Sequence, residues 1–250
     1  MLELAARANA RLIRSRSSVY HHEALHGADT GTRVTSFESQ SADARSDVER
    51  RRSSQRCQRH TLATYERGDP LRTRLEGYVQ RAFALKHGAH IRSFMPTLVA
   101  LQGRDERICG VAGVRSAAAE HLFLERYLTQ PIEAALSERV GMQIPREQIV
   151  EVGNLASLSC RAAFHLVAML PNLLLERGHA WIAFTATDAV RSILSQSNAP
   201  VIELCTASAD KVSDCGDEWG RYYEHDPKVL AGWLPHGAAF TCSKGVSRDA

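Results

Sequence analysis

The second half of the sequence alternates between short apolar runs and amphipathic runs, and this alternation constrains the fold more than any other feature. Such a pattern is typical of an α/β sheet in which neighbouring strands run parallel. We therefore predict a mixed α/β sheet with parallel neighbours in its second half. The segments read as strand, helix, strand, helix and strand are Gln148–Ala156, Ala162–Arg177, Ala180–Thr185, Asp188–Gln196 and Pro200–Cys205.

The residues before this region predict a helix and a hairpin. Apolar residues recur at helical spacing from Leu71 to Phe83, and Gly88 is a typical helix stop. Two extended runs follow, His90–Leu101 and Arg107–Arg115. Because the turn between them is short and polar, we expect them to pair as a β-hairpin.

A helical insertion lies between this hairpin and the second half. It has an apolar cluster over Leu122–Leu128, and Pro131 is placed to open a helix that stops at Gly141. Glu125 and Tyr127 within this insertion are candidates for lining a substrate pocket. Tyr127 also fits a core position, which is the commoner role for such a residue.

Composition changes near residue 70. The stretch from Ser15 to Tyr65 is rich in Ser, Arg, Asp, Glu and Gln and contains only scattered apolar residues. It cannot bury enough apolar surface to offset the entropy lost on ordering. We therefore expect a disordered Arg/Ser-rich tail over residues 1–70, one domain over 71–234 and a flexible C-terminal tail over 235–250.

Charge and cysteine usage exclude several classes of function. The net charge of +3 is too small to indicate a nucleic-acid partner. The six cysteines form no C-x-x-C pair and have no histidine at zinc spacing, so we expect reduced thiols, a cytoplasmic location and no metal site. No apolar run approaches the ~18 residues of a transmembrane segment, and the start lacks the order of a secretory signal. The sequence leaves the oligomeric state open.

The most informative segment is a strand, a turn of small residues and a helix start, from Ile149 to Ala163. A helix N-terminus presents free backbone N–H groups and the positive end of its dipole, which together bind anions such as pyrophosphate. Arg161 lies near the helix start and is placed to add a bidentate contact. An ordinary β–α turn without a ligand is the alternative.

Glu151, in the middle of that strand, is the best candidate for a general base. A carboxylate whose pKa is raised by burial can take a proton from an amine, directly or through water. Val150 and Val152 should point to the opposite face, because side chains alternate along a strand. The alternative role of Glu151 is a structural ion pair with Arg115 on an adjacent strand, and Arg115 is also a candidate for substrate contact.

Further polar and aromatic residues are candidates for the same site. Asn154 either orients a substrate carbonyl or satisfies backbone groups at a β-bulge. Thr185 and Thr187 lie at the carboxyl end of the next strand, where ligands bind in open α/β sheets. Helix capping is the simpler role for Thr187. Three aromatic residues either close the site as a lid or anchor the C-terminal segment by packing: Trp219, Tyr222 and Tyr223.

Six sequence blocks recur in an order and spacing that carry a family resemblance. They are Phe94-Met-Pro-Thr-Leu, Gly110-Val-Ala-Gly-Val-Arg-Ser, Leu122-Phe-Leu-Glu-Arg-Tyr-Leu-Thr-Gln-Pro-Ile-Glu133, Ile149-Val-Glu-Val-Gly-Asn-Leu-Ala156, Phe184-Thr-Ala-Thr and Trp219-Gly-Arg-Tyr-Tyr. This set, over about residues 80–234, resembles the thermostable hemolysin family. That family looks like the GNAT superfamily of acyl-CoA N-acyltransferases and is distantly similar to acyl-homoserine-lactone synthases.

The resemblance implies a mixed α/β sheet whose central strands splay apart, so that an acyl thioester enters the gap. The turn after the central strand lacks the glycines usual in the superfamily, so the resemblance leaves three alternatives open: an acyl-CoA donor, an acyl carrier protein thioester, or no acyl donor at all. The acceptor is an amine or an amino-acid-derived molecule. The residues implied along the donor are Leu155, Ala156 and Ser157 for the pantetheine arm, and Ser159, Arg161 and Ala163 for the pyrophosphate.

The leading interpretation is therefore an N-acyltransferase-like enzyme. A membrane-damaging protein without transferase activity is the first alternative, although the sequence contains no long amphipathic hairpin for a pore. A degenerate GNAT domain that only binds a partner is the second alternative, and the glycine-poor turn favours it.

Overall fold

A computed structural model describes residues 60–196 and 199–237 of the chain. These residues build a seven-stranded mixed sheet with helices on both faces, in agreement with the predicted fold class. Most of the two predicted tails (residues 1–70 and 235–250) lies outside the described residues, namely residues 1–59 and 238–250.

The strands are β1 (Thr61–Tyr65), β2 (Thr97–Gln102), β3 (Ile108–Ser116), β4 (Ile149–Ser157), β5 (Trp181–Ala186), β6 (Ile202–Thr206) and β7 (Lys228–Trp233). Hydrogen bonds order them β1-β2-β3-β4-β5-β7-β6 across the sheet. Within the described part of the chain, β4 and β5 run parallel and the other neighbouring pairs run antiparallel. The β2–β3 pair is the predicted hairpin.

Two of these strands were not predicted from the sequence. β1 pairs with β2, so ordered structure begins before the boundary expected near residue 70. This short strand needs little apolar surface of its own, because β2 supplies hydrogen-bond partners for its backbone. β7 inserts between β5 and β6 and runs antiparallel to both. The prediction of parallel neighbours therefore holds for β4 and β5 and is wrong for β6.

The helices begin and end close to the predicted residues. Pro131 directly precedes the second helix, and Gly88 and Gly141 end the first two helices with left-handed φ angles of 65° and 74°. Glycine tolerates this backbone conformation at little steric cost, which is why it stops a helix. The helices are α1 (Arg72–His87), α2 (Ile132–Val140), α3 (Cys160–Glu176) and α4 (Asp188–Gln196).

The two faces of the sheet are covered by different elements. α3 and α4 pack on one face, where Leu166 and Leu174 are fully buried together with Val150 and Val152 of β4. α1 and the insertion between β3 and β4 cover the other face. Val150 and Val152 therefore point away from the face that carries Glu151, as the strand alternation predicts.

The central strands separate, as the family resemblance implies. β4 pairs with β3 as far as Ser157, but its pairing with β5 ends at Val152. A β-bulge shifts the β3–β4 register after Gly153, and Asn154 adopts a left-handed φ of 44° there. The outer edge of β4 beyond Val152 is consequently free of β5, which opens the sheet.

Candidate active site

The separation of β4 from β5 opens a cavity of about 310 Å³ that reaches both faces of the sheet. On the face of the insertion its wall is polar and aromatic, and we call this part the insertion end. Between α3 and α4 its wall is apolar, and we call this part the helical branch. The insertion end is lined by Arg115, Phe123, Tyr127, Glu151, Trp219 and Tyr222, and the helical branch by Phe164, Val167, Ala168, Pro171, Val190 and Ile193.

Glu151 lines the cavity from the middle of β4 and is only 3% exposed. Its carboxylate accepts hydrogen bonds from the backbone N–H groups of Phe123 (2.8 Å) and Leu124 (2.9 Å), at the start of a short 3-10 helix over Phe123–Tyr127. Burial raises the pKa of Glu151 above its ordinary value, although those N–H groups and Arg115 oppose the shift. The carboxylate thus anchors the insertion and also faces the cavity.

Arg115 stands opposite Glu151 in the β3–β4 register, as the ion-pair alternative predicts. The distance from Arg115 Nη1 to Glu151 Oε2 is 3.9 Å, which is too long for a hydrogen bond. Nη1 donates to the His121 carbonyl oxygen at 3.2 Å, and Nε is buried without a hydrogen-bond partner among the described residues. The guanidinium therefore enters the cavity wall with unused donors.

Glu125 does not line the cavity, although the sequence marks it as an acceptor-pocket candidate. Its carboxylate accepts from Arg146 at 2.6 and 2.9 Å and from the backbone N–H groups of Leu122 and Ile132. Burial opposes its ionisation, but Arg146 and these N–H groups outweigh burial and lower the pKa of Glu125 to about 2. Glu125 is a structural centre of the insertion.

The partner of Glu125, Arg146, was missed by the sequence analysis. Its guanidinium also binds Glu133 (2.7 Å) and the carbonyl oxygens of Ala117 (2.7 Å) and Glu120 (3.3 Å). These contacts tie the insertion to the segment that leads into β4. A residue so far from Glu125 along the chain carries no local signal of this role.

The turn between β4 and α3 uses most of its own N–H groups. Leu158 N donates to the Tyr78 hydroxyl (3.3 Å), Ser159 N donates to Ser157 Oγ (3.3 Å), and Ala162 N donates to Ser159 Oγ (3.2 Å). Ser159 is the N-cap of α3, which leaves the first two N–H groups of that helix, at Cys160 and Arg161, for a ligand. The turn offers fewer free donors than the strand–turn–helix pattern alone suggests.

The residues proposed along the donor fall into two groups. Four of them line the cavity: Leu155, Ala156, Ser157 and Ala163. Ser159 and Arg161 lie outside its wall, at the exposed start of α3.

Asn154 lines the cavity, and its amide is engaged by backbone groups at the bulge. Its Oδ1 accepts from Met95 N (2.9 Å), and its Nδ2 donates to the Ser93 carbonyl oxygen (3.3 Å). These contacts match the bulge alternative and hold the Ser93–Met95 segment against β4. The flexible side chain of Met95 packs over Gly153, and its terminal methyl group would lie 2.5 Å from a Cβ at that position.

Thr185 and Thr187 both line the cavity at the carboxyl end of β5, where the sequence places them. Thr187 is 4% exposed, and its carbonyl oxygen accepts from Arg191 N at 2.9 Å, so it stands at the start of α4. Their hydroxyl groups add polarity close to the point where β4 and β5 separate.

The insertion end is walled by aromatic rings. Trp219 lies 5.5 Å from Phe123 and 5.3 Å from Tyr222 between ring centroids. The Tyr127 and Tyr223 hydroxyl groups are 2.6 Å apart, and burial raises the pKa of Tyr127. The aromatic residues of the C-terminal segment thus both pack the structure and close the cavity.

His87 is a cavity residue that the sequence analysis missed. It is 4% exposed, and its ring contacts those of Tyr222 and His225. Burial, followed by the nearby charge of Lys86, lowers the pKa of His87 to about 4. The imidazole is therefore neutral near neutral pH.

Gly220 allows the segment that carries Trp219 and Tyr222 to lie against the end of α1. Arg221 N donates to the His87 carbonyl oxygen and His90 N to the Glu218 carbonyl oxygen, both at 2.7 Å. Gly220 has φ of 50°, and a Cβ there would clash with the His87 carbonyl oxygen and lie 2.8 Å from Gly88. No larger residue fits this approach.

Replacing Gly220 by alanine should therefore weaken this wall of the cavity. We expect Gly220→Ala to lower the free energy of unfolding by about 2 kcal/mol or more, because backbone strain and a steric clash add. Denaturant unfolding measures the change. Gly68→Ala is the matched control, since Gly68 has φ of 94° but open space around it. If Gly220→Ala and Gly68→Ala lower the free energy of unfolding equally, the close contact of Gly220 with the end of α1 does not contribute to stability.

Comparison with known proteins gives a family and a fold. The family model described as thermostable hemolysin matches residues 65–238. No curated protein matches the sequence. FeeM, an N-acyl amino acid synthase from uncultured soil microbes, superimposes with a TM-score of 0.51 at 14% identity, covering 75% of this chain and 98% of FeeM. TofI, solved in a ternary complex with an inhibitor and MTA, gives 0.51 at 13% identity, covering 73% and 96%.

No helix within residues 60–196 and 199–237 is long and apolar enough to cross a bilayer.

Proposed function

Because the chain belongs to the thermostable hemolysin family and shares the fold of an N-acyl amino acid synthase, we propose that it is an N-acyltransferase. It transfers an acyl group from a thioester to an amine or an amino-acid-derived acceptor. The cavity at the separation of β4 and β5 carries this proposal, since it joins an apolar branch to a polar end beside a buried carboxylate.

The donor is an acyl-CoA or an acyl carrier protein thioester. Its pantetheine arm lies along the free edge of β4 at Leu155, Ala156 and Ser157, where backbone groups are released from β5. Its phosphate meets the start of α3, where Arg161 and two backbone N–H groups are available. Few N–H donors are free at this turn, so the turn does not distinguish the phosphate of CoA from that of an acyl carrier protein.

Glu151 acts as the general base in the proposed reaction. The amine nitrogen attacks the thioester carbonyl carbon, the C–N bond forms, and the C–S bond breaks to release a thiolate. The proton lost by the nitrogen passes to the Glu151 carboxylate, directly or through water, and finally neutralises the thiolate. Thr185 and Thr187 contact the reacting groups at the carboxyl end of β5, and Asn154 holds the bulge that shapes this edge.

The helical branch receives the acyl chain. Its walls are apolar side chains of α3 and α4, and burying each methylene there contributes about 0.8 kcal/mol. A short acyl group would leave this volume unfilled. We therefore expect the protein to prefer an extended acyl chain over acetyl.

Substitution of Ala168 tests this assignment. Ala168→Phe fills the helical branch, so kcat/KM for a long-chain acyl donor should fall about tenfold or more, while acetyl transfer is retained. The exposed Ala84 of α1 provides the control, Ala84→Phe, which should change neither rate. If Ala168→Phe reduces both rates equally, the acyl chain does not occupy this branch.

Transferase activity is tested by incubating the protein with acetyl-CoA, long-chain acyl-CoA or acyl carrier protein thioesters together with amine acceptors. Thiol release and a new amide detected by mass spectrometry would support the proposal. Binding of neither donor in calorimetry would favour a domain that only binds a partner. Leakage of liposomes by the purified protein without substrate would favour direct membrane damage.

We also place the reaction in the cytoplasm. Cys109, Cys160 and Cys205 are free thiols, which fits the reducing compartment expected from the cysteine spacing.

A further inference from the structure

Arg115 has more hydrogen-bonding capacity than the protein uses. A guanidinium carries five N–H donors. Among the described residues, the hydrogen bond it makes is that of Nη1 to His121, and Nε is buried and unpartnered. Glu120 and Glu151 stand 3.7 and 3.9 Å away, beyond hydrogen-bond distance. A half-satisfied guanidinium in a cavity wall is suited to bidentate binding of a carboxylate.

The carboxylate of Glu151 beside Arg115 indicates how a ligand with two charged groups would be oriented. Arg115 and Glu151 are cross-strand partners that both line the insertion end. They offer a positive and a negative group side by side, which is the complement of an α-amino acid with its carboxylate and amino groups on one carbon. A simple amine would provide a partner for Glu151 alone and would leave the unused N–H donors of Arg115 without an acceptor.

The remaining walls indicate what the rest of the acceptor is like. Phe123, Trp219 and Tyr222 present ring surfaces next to the charged pair, and such surfaces favour apolar or aromatic groups. Lys86 also lines the cavity and adds positive charge. Its charge, like that of Arg115, favours an acceptor that carries a carboxylate.

We propose that the acceptor is a free α-amino acid with an apolar side chain, bound through its carboxylate by Arg115 and with its amino group directed at Glu151. This inference rests on the proposed acyltransferase function and names its acceptor. The amino nitrogen forms the amide bond, and the carboxylate takes no part in bond making, so the product keeps a negative charge. With an extended acyl chain, that product is an anionic amphiphile.

Modified acceptors test the role of the carboxylate without changing the protein. The probe is an equimolar mixture of the common L-amino acids, compared with the same mixture as methyl esters, which keep the amine and lose the charge. Initial rates of amide formation are followed by mass spectrometry with a long-chain acyl thioester donor. We expect the free acids to react at least about tenfold faster, because a charge-assisted bidentate contact is lost in the esters.

A variant then assigns the preference to Arg115. Arg115→Gln should bring the ratio of acid to ester rates close to one, whereas Arg92→Gln should leave it unchanged. Arg92 is the matched control because its side chain is 80% exposed and lies outside the cavity wall. Equal acid and ester rates in the natural protein, or a preserved preference in Arg115→Gln, would overturn the proposal.

Direct binding separates this inference from the proposed function. Saturation-transfer NMR with the two mixtures and no donor should detect the free acids and lose them in Arg115→Gln. If the acids bind in this way but no thioester is consumed, the acceptor assignment stands and the transferase function fails. If thioester is consumed with simple amines while acids bind no better than esters, the transferase function stands and the acceptor assignment fails.

Discussion

Arg146→Met should lower the free energy of unfolding by about 3 kcal/mol near neutral pH, because removing one partner of this partly buried ion pair leaves the other charge uncompensated. Glu125 would keep its carboxylate in a site where it is 11% exposed, without the two guanidinium contacts that now stabilise it. Denaturant unfolding measures the loss. Arg74→Met is the control, since Arg74 lies exposed on α1.

The pH dependence of this loss follows from Glu125. Arg146 helps to lower the pKa of Glu125 to about 2 in the folded protein, from an ordinary value of 4.5. The stabilisation is therefore fully present above pH 4.5 and is lost as the pH falls towards about 2. The stability difference between the natural protein and Arg146→Met should shrink over this window. A difference that grows on acidification would contradict the assigned role of the pair.

Arg146→Met should also lower the transferase activity, because the insertion that Arg146 stabilises carries part of the cavity wall. Phe123 and Tyr127 line the insertion end, and the 3-10 helix that contains them begins where Glu125 binds Leu122 N. The donor pocket beyond β4 is built from other elements. We therefore expect KM for the acceptor to rise more than KM for the donor, which steady-state kinetics would show.

Glu151→Gln should reduce kcat/KM by about 100-fold or more, the usual contribution of a positioned general base. A structural cost accompanies it, since an amide oxygen can accept from one of the two N–H groups at Phe123 and Leu124 but the amide nitrogen cannot accept from the other. That cost is about 1–3 kcal/mol of unfolding free energy. Glu203→Gln on the exposed edge strand β6 is the matched control.

The pH profile distinguishes a base from an anchor at this position. A base must be ionised, so kcat/KM should rise with pH through the pKa of Glu151, which burial raises above 4.5. Glu151→Gln should lack this rise. If the variant keeps the profile of the natural protein and loses stability alone, the carboxylate holds the insertion and another group accepts the proton.

Much of the site could be predicted because its signals are local. The β4 strand, the start of α3 and the small residues between them are adjacent in the sequence, and alternation places Glu151 opposite Val150 and Val152. The ion-pair alternative for Glu151 and Arg115 was also within reach, since both lie on strands that the pattern identifies. The 3.9 Å separation of Arg115 Nη1 from Glu151 Oε2, which leaves guanidinium donors unused, could not be predicted from the sequence.

Other parts of the site depend on residues that are distant along the chain. The sequence around Glu125 predicts a residue that lines a pocket. In the structure Arg146 binds its carboxylate, and Glu125 holds the insertion together instead. His87 and Trp219 belong to the first helix and to the C-terminal segment, and the backbone hydrogen bonds that join these two segments around Gly220 follow no periodic sequence pattern.

By itself, the sequence determined the helices, five of the seven strands, including the one that carries Glu151, and the family. Hydrophobic periodicity, glycine stops and motif order are written within short stretches of chain. The tertiary structure alone decided that β7 enters between β5 and β6, that β4 leaves β5 after Val152 and that Arg146 neutralises Glu125. Strand partners and buried ion pairs are chosen by packing between distant segments, and that choice leaves no repeat in the local sequence.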